Sequence, residues 1–459
     1  MGKIKFCSIL VGGLLLLMTS CLGGGDSYDI DDWNLGNAQI SSFLLSNDSI
    51  DGLSEVVFTI DQLNGKIYNK DSMPYGTVID EKVLCKVAYD GKYDAANILF
   101  VQTLTNDSVW GINDSIDFSA PVTITVYPHD GVSTKVYEAK INIHQVNPDT
   151  MVWHKYTDLI SGKTFKDMRV VLYGNSYYMY VVEEETAGLY KTDITDMVNW
   201  KEVSLSGFPA GAVLSQITKV EDDLYAISEQ GVLYHSAANQ NSDEEQVWST
   251  VENTPLIKAL MGYIPKGTAT GARASLSAVV VADDDLLRYA AMSVGQEWEF
   301  GTEVPETFPL SGFGCFDYET MYFPRLVVAS GRDSRGNLSS GAWSTMNGLS
   351  WALLSNNRFT FSPREGSAVA YYDNCFFVFG GMDASGNALN DIYYSKDNGI
   401  TWNNTMYVMP EEYALRGYSS IAVDKNNYIL LFGGKAGKDT NVLNELWRGR
   451  INRLGFGKE

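Results

Sequence analysis

Histidine and cysteine are scarce in this chain, four and five among 459 residues, so metal or nucleophilic sites built from imidazole or thiolate have little to draw on. Cys7 and Cys21 fall near the start, and the remaining Cys85, Cys315 and Cys375 are odd in number with no CxxC spacing. That excludes a disulfide framework, and no metal or cofactor is expected. Basic residues are also few, 34 against 56 acids, for a net charge of −22. A balance so negative excludes binding of nucleic acid or anionic lipid through a broad basic face. Long apolar runs are missing too. The longest, Ile9 to Met18, is too short to span a bilayer. What is plentiful is tyrosine (27) and glycine (42), the mixture of many short strands joined by tight turns, which predicts an all-β chain.

Lys3 and Lys5 precede that apolar run, and Met18, Thr19, Ser20 and Cys21 follow it, the layout of an export leader over residues 1–20. Met18-Thr19-Ser20-Cys21 resembles the lipobox of bacterial lipoproteins, which implies that Cys21 is diacylated on sulfur and becomes the new N-terminus. Acyl chains on one residue would hold the protein at a membrane without a spanning helix. Residues 21–35 then form a flexible acidic tether, with GGGDSYDIDD at 23–32. Acids just after a lipidated cysteine resemble the surface-export signal of some Gram-negative lipoproteins. The resemblance implies an outer-membrane protein displayed on the cell surface, with the periplasmic face as the alternative.

Residues 36–147 read as one β-sandwich. From Lys135 to Val146, Tyr137, Ala139, Ile141 and Ile143 alternate with Glu138, Lys140, Asn142 and His144, giving one buried and one wet face. VTITVYPHDG (122–131) precedes it with Asp130-Gly131 as the turn, a hairpin that resembles the last strands of immunoglobulin-like and cadherin-like domains. Segments 54–61 and 82–89 add strands, 62–80 is a looser stretch, and Pro148 marks a boundary.

From residue 150 to 459 the chain repeats. Trp153, Trp200, Trp248, Trp298, Trp351 and Trp402 are separated by 47, 48, 50, 53 and 51 residues, and Phe456 follows 54 later. Each period holds a turn pair: Gly174-Asn175, Asp222-Asp223, Asp284-Asp285, Glu319-Thr320, Asp373-Asn374 and Asn426-Asn427. Such residues suit two-residue hairpins, here between the first and second strands of a four-stranded unit. FFVFGG (376–381) and ILLFGG (429–434) end in a double glycine, with Arg364 and Arg416 ahead of the first strand. These features resemble kelch repeats and imply a six-bladed kelch-like β-propeller behind an immunoglobulin-like domain, a pairing similar to one family of bacterial lipoproteins. MVWHKYTDL (151–159) is a spare fourth strand, expected to complete the last blade and cover edges that would otherwise template aggregation.

SKDNGITW (395–402) resembles an Asp-box, with Asp397 accepting backbone N–H groups, Gly399 taking positive φ and Trp402 folding back, a structural turn rather than a catalytic one. A sialidase would need an arginine triad and a tyrosine paired with glutamate. Only Phe323-Pro324-Arg325 echoes its early motif, in the wrong order. A copper site has only His154 and His235 in the repeats, in no shared loop. Acid pairs fall at turns, where solvation explains them. Arg273, Arg364 and Arg416 precede first strands, where kelch arginines often point into the channel mouth, and are candidate ligand contacts; the alternative is that they bond loop carbonyls or acids. Asp48-Ser49-Ile50, Asp71-Ser72-Met73, Asp107-Ser108-Val109, Asp114-Ser115-Ile116 and Asp149-Thr150-Met151 resemble the O-glycosylation acceptor of Gram-negative gut anaerobes, against roughly one or two expected by chance. That resemblance implies sugars on Ser49, Ser72, Ser108, Ser115 or Thr150. The expected function is non-catalytic binding or scaffolding for glycan capture or adhesion, with a glycan or another surface protein as partner, no nucleic acid, and membrane contact through the lipid anchor only. The alternative is a polysaccharide-active enzyme, a sialidase-like hydrolase or a lyase.

Overall fold

A computed structural model describes residues 37–79, 82–89, 97–111, 113–128, 131–267, 273–293, 295–320, 323–355 and 358–456. The leader, the tether, Cys21 and Asp130 lie outside the described residues. The chain divides into two compact units, Met1–Asn147 and Pro148–Glu459. Both are built of strands, and no helix among the described residues is long and apolar enough to cross a membrane.

Among the described residues the first unit holds two sheets. One pairs Ile40–Ser46, Val83–Tyr89 and Ser115–Ile116; the other runs in the order Phe58–Asp61, Lys66–Asn69, Lys135–Lys140, Val122–Tyr127, Ile98–Gln102 and Asp107–Val109. Alternation in the sequence places Val122, Ile124, Val126, Tyr137 and Ala139 in a core shared with Ile40, Phe43, Leu45, Val83 and Cys85. Tyr137 ties the sheets together: it accepts the Ile40 N–H at 3.0 Å and donates to Gln62 Oε1 at 2.7 Å. Two expectations change here. The stretch 62–80 contains a strand, Lys66–Asn69, parallel to Lys135–Lys140. The last strand ends at Lys140 rather than Val146, because fully buried Asn69 interrupts the ladder: its Oδ1 accepts the Asn142 N–H at 2.6 Å, and Asn142 Nδ2 donates to Asn69 O at 2.7 Å.

Among the described residues the second unit contains six sheets whose inner strands are Asp167–Tyr173, Thr218–Val220, Leu256–Ile264, Gly314–Glu319, Ala368–Tyr372 and Ser420–Val423. Successive inner strands are neighbours, and the sixth neighbours the first. The sixth sheet is assembled from both ends of the unit: Met151–Asp158 pairs antiparallel with Glu445–Ile451 and forms its outer edge, as the spare strand led one to expect.

Six hydrophobic clusters fill the seams, each drawing on two consecutive sheets. The periodic tryptophans explain themselves there. Trp200 packs into the seam between sheets six and one, Trp248 between one and two, Trp298 between two and three, Trp351 between three and four, Trp402 between four and five, and Trp153 between five and six. One large aromatic per seam is what a repeated sheet needs to fill the wedge against its neighbour. The third sheet departs from the expected placement of its turn. Leu256–Ile264 is its inner strand and Ser275–Val281 its second, so Asp284-Asp285 turns between the second and third strands.

Candidate functional site

The inner strands enclose a cavity of about 250 Å³ at one end. Sheets one, four, five and six contribute Asp167, Met168, Arg169, Gly314, Cys315, Ala368, Val369, Ser420 and Ile421, while loops add Ser215, Tyr418, Lys435 and Lys438. The rim is fixed by backbone. Gly312, Gly366 and Tyr418 stand just ahead of the inner strands of sheets four, five and six, with φ of 60°, 64° and 60°. Tyr418 N–H donates to Gly366 O at 2.5 Å, and Gly366 N–H donates to Gly312 O at 2.6 Å, so one hydrogen-bonded line crosses three sheets. Glycine is required at 366, where a Cβ would come within 2.7 Å of the Tyr418 ring. Tyr418 itself holds a left-handed conformation that non-glycine residues rarely adopt, a strain that often accompanies functional positions.

Tyr418 and Glu365 meet at this rim, a tyrosine and a glutamate side by side. Burial first, and the nearby Glu365 charge second, push the Tyr418 phenol well above its ordinary value, so it stays protonated. Glu365 is itself held by Arg332, whose Nε and Nη2 donate to it at 2.7 and 2.6 Å. A protonated phenol and a carboxylate already bridged by a guanidinium are poorly set for nucleophilic chemistry.

Arg169 is the residue that sequence reading missed. On the inner strand of sheet one, Met168 and Val170 turn into the seam with sheet six, while Asp167 and Arg169 keep accessible surface on the cavity side. Val170 N–H donates to Ser420 Oγ at 2.8 Å, which locks the strand in register with its neighbour. Protein surrounds the guanidinium closely enough that burial pulls it below its ordinary value, with Cys315 and Asp167 working in the opposite direction. Its Nε has no hydrogen-bond partner. Asp167, the sole acid of the lining among the described residues, lies 3.6 Å from Lys435 Nζ. The signal was present as one arginine in the otherwise apolar run Met168 to Leu172.

Arg364 and Arg416 do not offer their charge to a ligand. Both are buried, at 0% and 2% exposure. Arg364 donates to Ser362 O and Gly380 O, each at 2.9 Å, to the Ser362 hydroxyl, and to both oxygens of Asp391 at 2.6 and 2.9 Å. Arg416 repeats this on Ala414 O at 2.9 Å, Gly433 O at 3.1 Å and Glu445 at 2.8 Å, with Tyr413 stacked on it. These arginines pin the glycine-ended second strand to an acid on the third, so the alternative of bonded carbonyls and acids holds for them. Arg273 is exposed and stands elsewhere, because Ser275 is paired with Ile264 at the far end of its inner strand. It lines a recess of about 210 Å³ with Phe323 and Met346 and does not converge with the other two.

The turn at 395–402 is closed on itself. Asp397 accepts the Ser395 hydroxyl at 2.7 Å, the Thr401 N–H at 2.9 Å and the Thr401 hydroxyl at 2.6 Å; Gly399 has φ of 90°, and Trp402 Nε1 donates to Gly399 O at 3.1 Å. Asp397 sits below its ordinary value even though burial pushes it up, because these bonds favour the carboxylate. Ser49, Ser108, Ser115 and Thr150 are exposed and Ser72 is half-buried; Ser108 and Ser115 lie on edge strands. Cys21 is outside the described residues. Among the described residues no three His, Cys, Asp or Glu side chains group as metal ligands.

Sheets set side by side about a central cavity, each packing both faces against its neighbours, define a β-propeller. The chain belongs to the family described as the DUF6242 β-propeller domain, matched over residues 147–459, and the DUF6242 N-terminal domain matches residues 35–141. No curated protein matches it. Among solved structures, that of YjhT is similar at 12% identity and a TM-score of 0.43, covering 62% of this chain and 95% of its own. A triple arginine-to-alanine mutant of AofleA from Arthrobotrys oligospora is similar at 11% identity and a TM-score of 0.38, covering 66% and 93%. The six-bladed fucose-binding lectin of Aleuria aurantia is similar at 9% identity and 0.38, covering 62% and 92%.

Proposed function

We propose that this protein binds rather than transforms its ligand, taking it into the central cavity of a six-bladed, kelch-like propeller carried behind an immunoglobulin-like domain. The observation that carries the reading is the cavity lining, which offers an unpaired cation at Arg169 and a single acid, Asp167. Hydrolysis of a glycosidic bond by side chains needs two converging carboxyl groups or an activated tyrosine, and the lining holds neither. Glycan capture or adhesion at the outer membrane is the role we assign, with the lipid on Cys21 as anchor and sugars on Ser49, Ser72, Ser108, Ser115 or Thr150. Support for the anchor is the sequence Met18 to Cys21; support for glycan as ligand is the half-buried Tyr418 in the cavity lining, whose ring face suits a sugar. Two measurements test the role. On a glycan array the full chain should retain a defined subset while releasing no reducing ends from the same glycans; turnover lost on changing one Asp or Glu would make it an enzyme. Cys21→Ala should move the protein out of the membrane fraction, and unchanged detergent partitioning would remove the anchor.

A further inference from the structure

We propose that the cavity selects a ligand bearing a carboxylate and seats that group on Arg169. The inference rests on the binding role above and adds the chemical class of the ligand.

Arginine cannot shed its proton to escape burial, so an enclosed guanidinium needs an anion or acceptors around it. This chain supplies them elsewhere. Arg364 and Arg416, more deeply buried than Arg169, each donate to backbone carbonyls and to a carboxylate. Arg169 has no such set among the described residues: its Nε is buried without a partner, and the lone acid of the lining lies beside Lys435. The thiol of Cys315 does not substitute. Burial raises it above its ordinary value of 9.0, so near neutral pH it carries no charge to balance Arg169.

Charge sets the sign and valence of the missing group. In a chain of net −22, the lining carries Arg169, Lys435 and Lys438 against Asp167 alone, a local reversal that draws an anion inward. Lys438 is exposed at the rim and Lys435 sits by Asp167, which leaves one enclosed positive charge to match. A single carboxylate fits that count better than a phosphate dianion, and the planar guanidinium can donate a forked pair of hydrogen bonds to it. A cavity of about 250 Å³ holds roughly eight waters, or one small acid such as a uronic acid ring. Free organic acids and the acidic residues of a glycan share this chemistry.

Titration calorimetry on the full chain tests it, with galacturonate and glucuronate as sugar acids, acetate, lactate and succinate as simple acids, and galactose and glucose as neutral counterparts. At least one acid should bind more tightly than any neutral sugar, and Arg169→Gln should weaken that acid by roughly tenfold to a hundredfold. Binding by sugar acids alone would make the source a glycan; binding by simple acids as well would make it any small carboxylate. A melting curve separates recognition from structure. Without ligand, Arg169→Met should melt at or above the wild-type temperature, because it removes an unbalanced charge, whereas a structural arginine would melt lower. Acid binding unchanged in Arg169→Gln, no acid bound at all, or a lowered melting point in Arg169→Met overturns the proposal. If the array retains glycans independently of Arg169, this inference fails and the binding role stands; if it retains none, the binding role fails as well.

Discussion

The fifth and sixth sheets and the first sheet of the propeller each enclose arginine, and they treat it differently. In the fifth and sixth, the guanidinium groups of Arg364 and Arg416 are saturated by carbonyls and by Asp391 or Glu445, and each ties a second strand to a third. In the first, Arg169 stands on the inner strand facing the cavity, with its Nε unpartnered. The same residue type acts as a rivet in one place and as an open binding group in the other. Surroundings decide the role, since desolvation weighs against any enclosed charge and only the available acceptors offset it.

The comparison is most exposed to Arg364→Ala. Removing the rivet leaves Asp391 without its partner and opens a cavity, and unfolding in denaturant should report a loss of about 3 kcal/mol, at the low end for a broken buried pair because Asp391 keeps 32% of its side chain in water. A loss under 1 kcal/mol would erase the distinction from Arg169. Gly434→Ala comes next. A Cβ there would meet Ser419 Oγ at 2.3 Å and Gly417 O at 3.0 Å at a φ of 96°, for an expected loss of about 2 kcal/mol. Gly162→Ala, at a similar φ of 76° with nothing within 4 Å, should lose about half as much, and equal losses would mean that the conformation alone matters.

The smallest effect is one of pH. Glu445 lies below its ordinary value of 4.5: burial pushes it up, but hydrogen bonds from Trp447, Arg416 and Lys155 outweigh that. A carboxylate depressed in the folded state contributes stability that is present above the unfolded pKa and is lost as pH falls through the folded one. The stability gap between wild type and Glu445→Gln should therefore be widest near pH 7 and close below about pH 4.5. A gap that does not change with pH would detach Glu445 from the rivet.

Much of the propeller could be read from residue order. The tryptophan spacing marked the repeats, since each seam takes one of these large aromatics. The double glycines marked strand ends for a local reason, as Gly380, Gly381, Gly433 and Gly434 all take positive φ. The third sheet misled because a long connection, 265–274, joins Leu256–Ile264 to Ser275–Val281, so Asp284-Asp285 was the nearest two-residue hairpin signal. Lys66–Asn69 went unseen because a strand of four residues has too little alternation to stand out.

Local sequence thus determined most of the strands and turns and the period, because each depends on backbone preferences and on residues close in the chain; the strand at 151–159 was legible only as one left over from the repeats, since its partner Glu445–Ile451 lies at the other end of the unit. Which arginine is saturated and which is open was decided only by tertiary structure. Arg364 meets Asp391 across 27 residues and Arg416 meets Glu445 across 29, while Arg169 faces side chains from strands well over a hundred residues away in the chain. Charge balance in an enclosed space depends on what the fold brings within a few ångströms, and no window of sequence contains that.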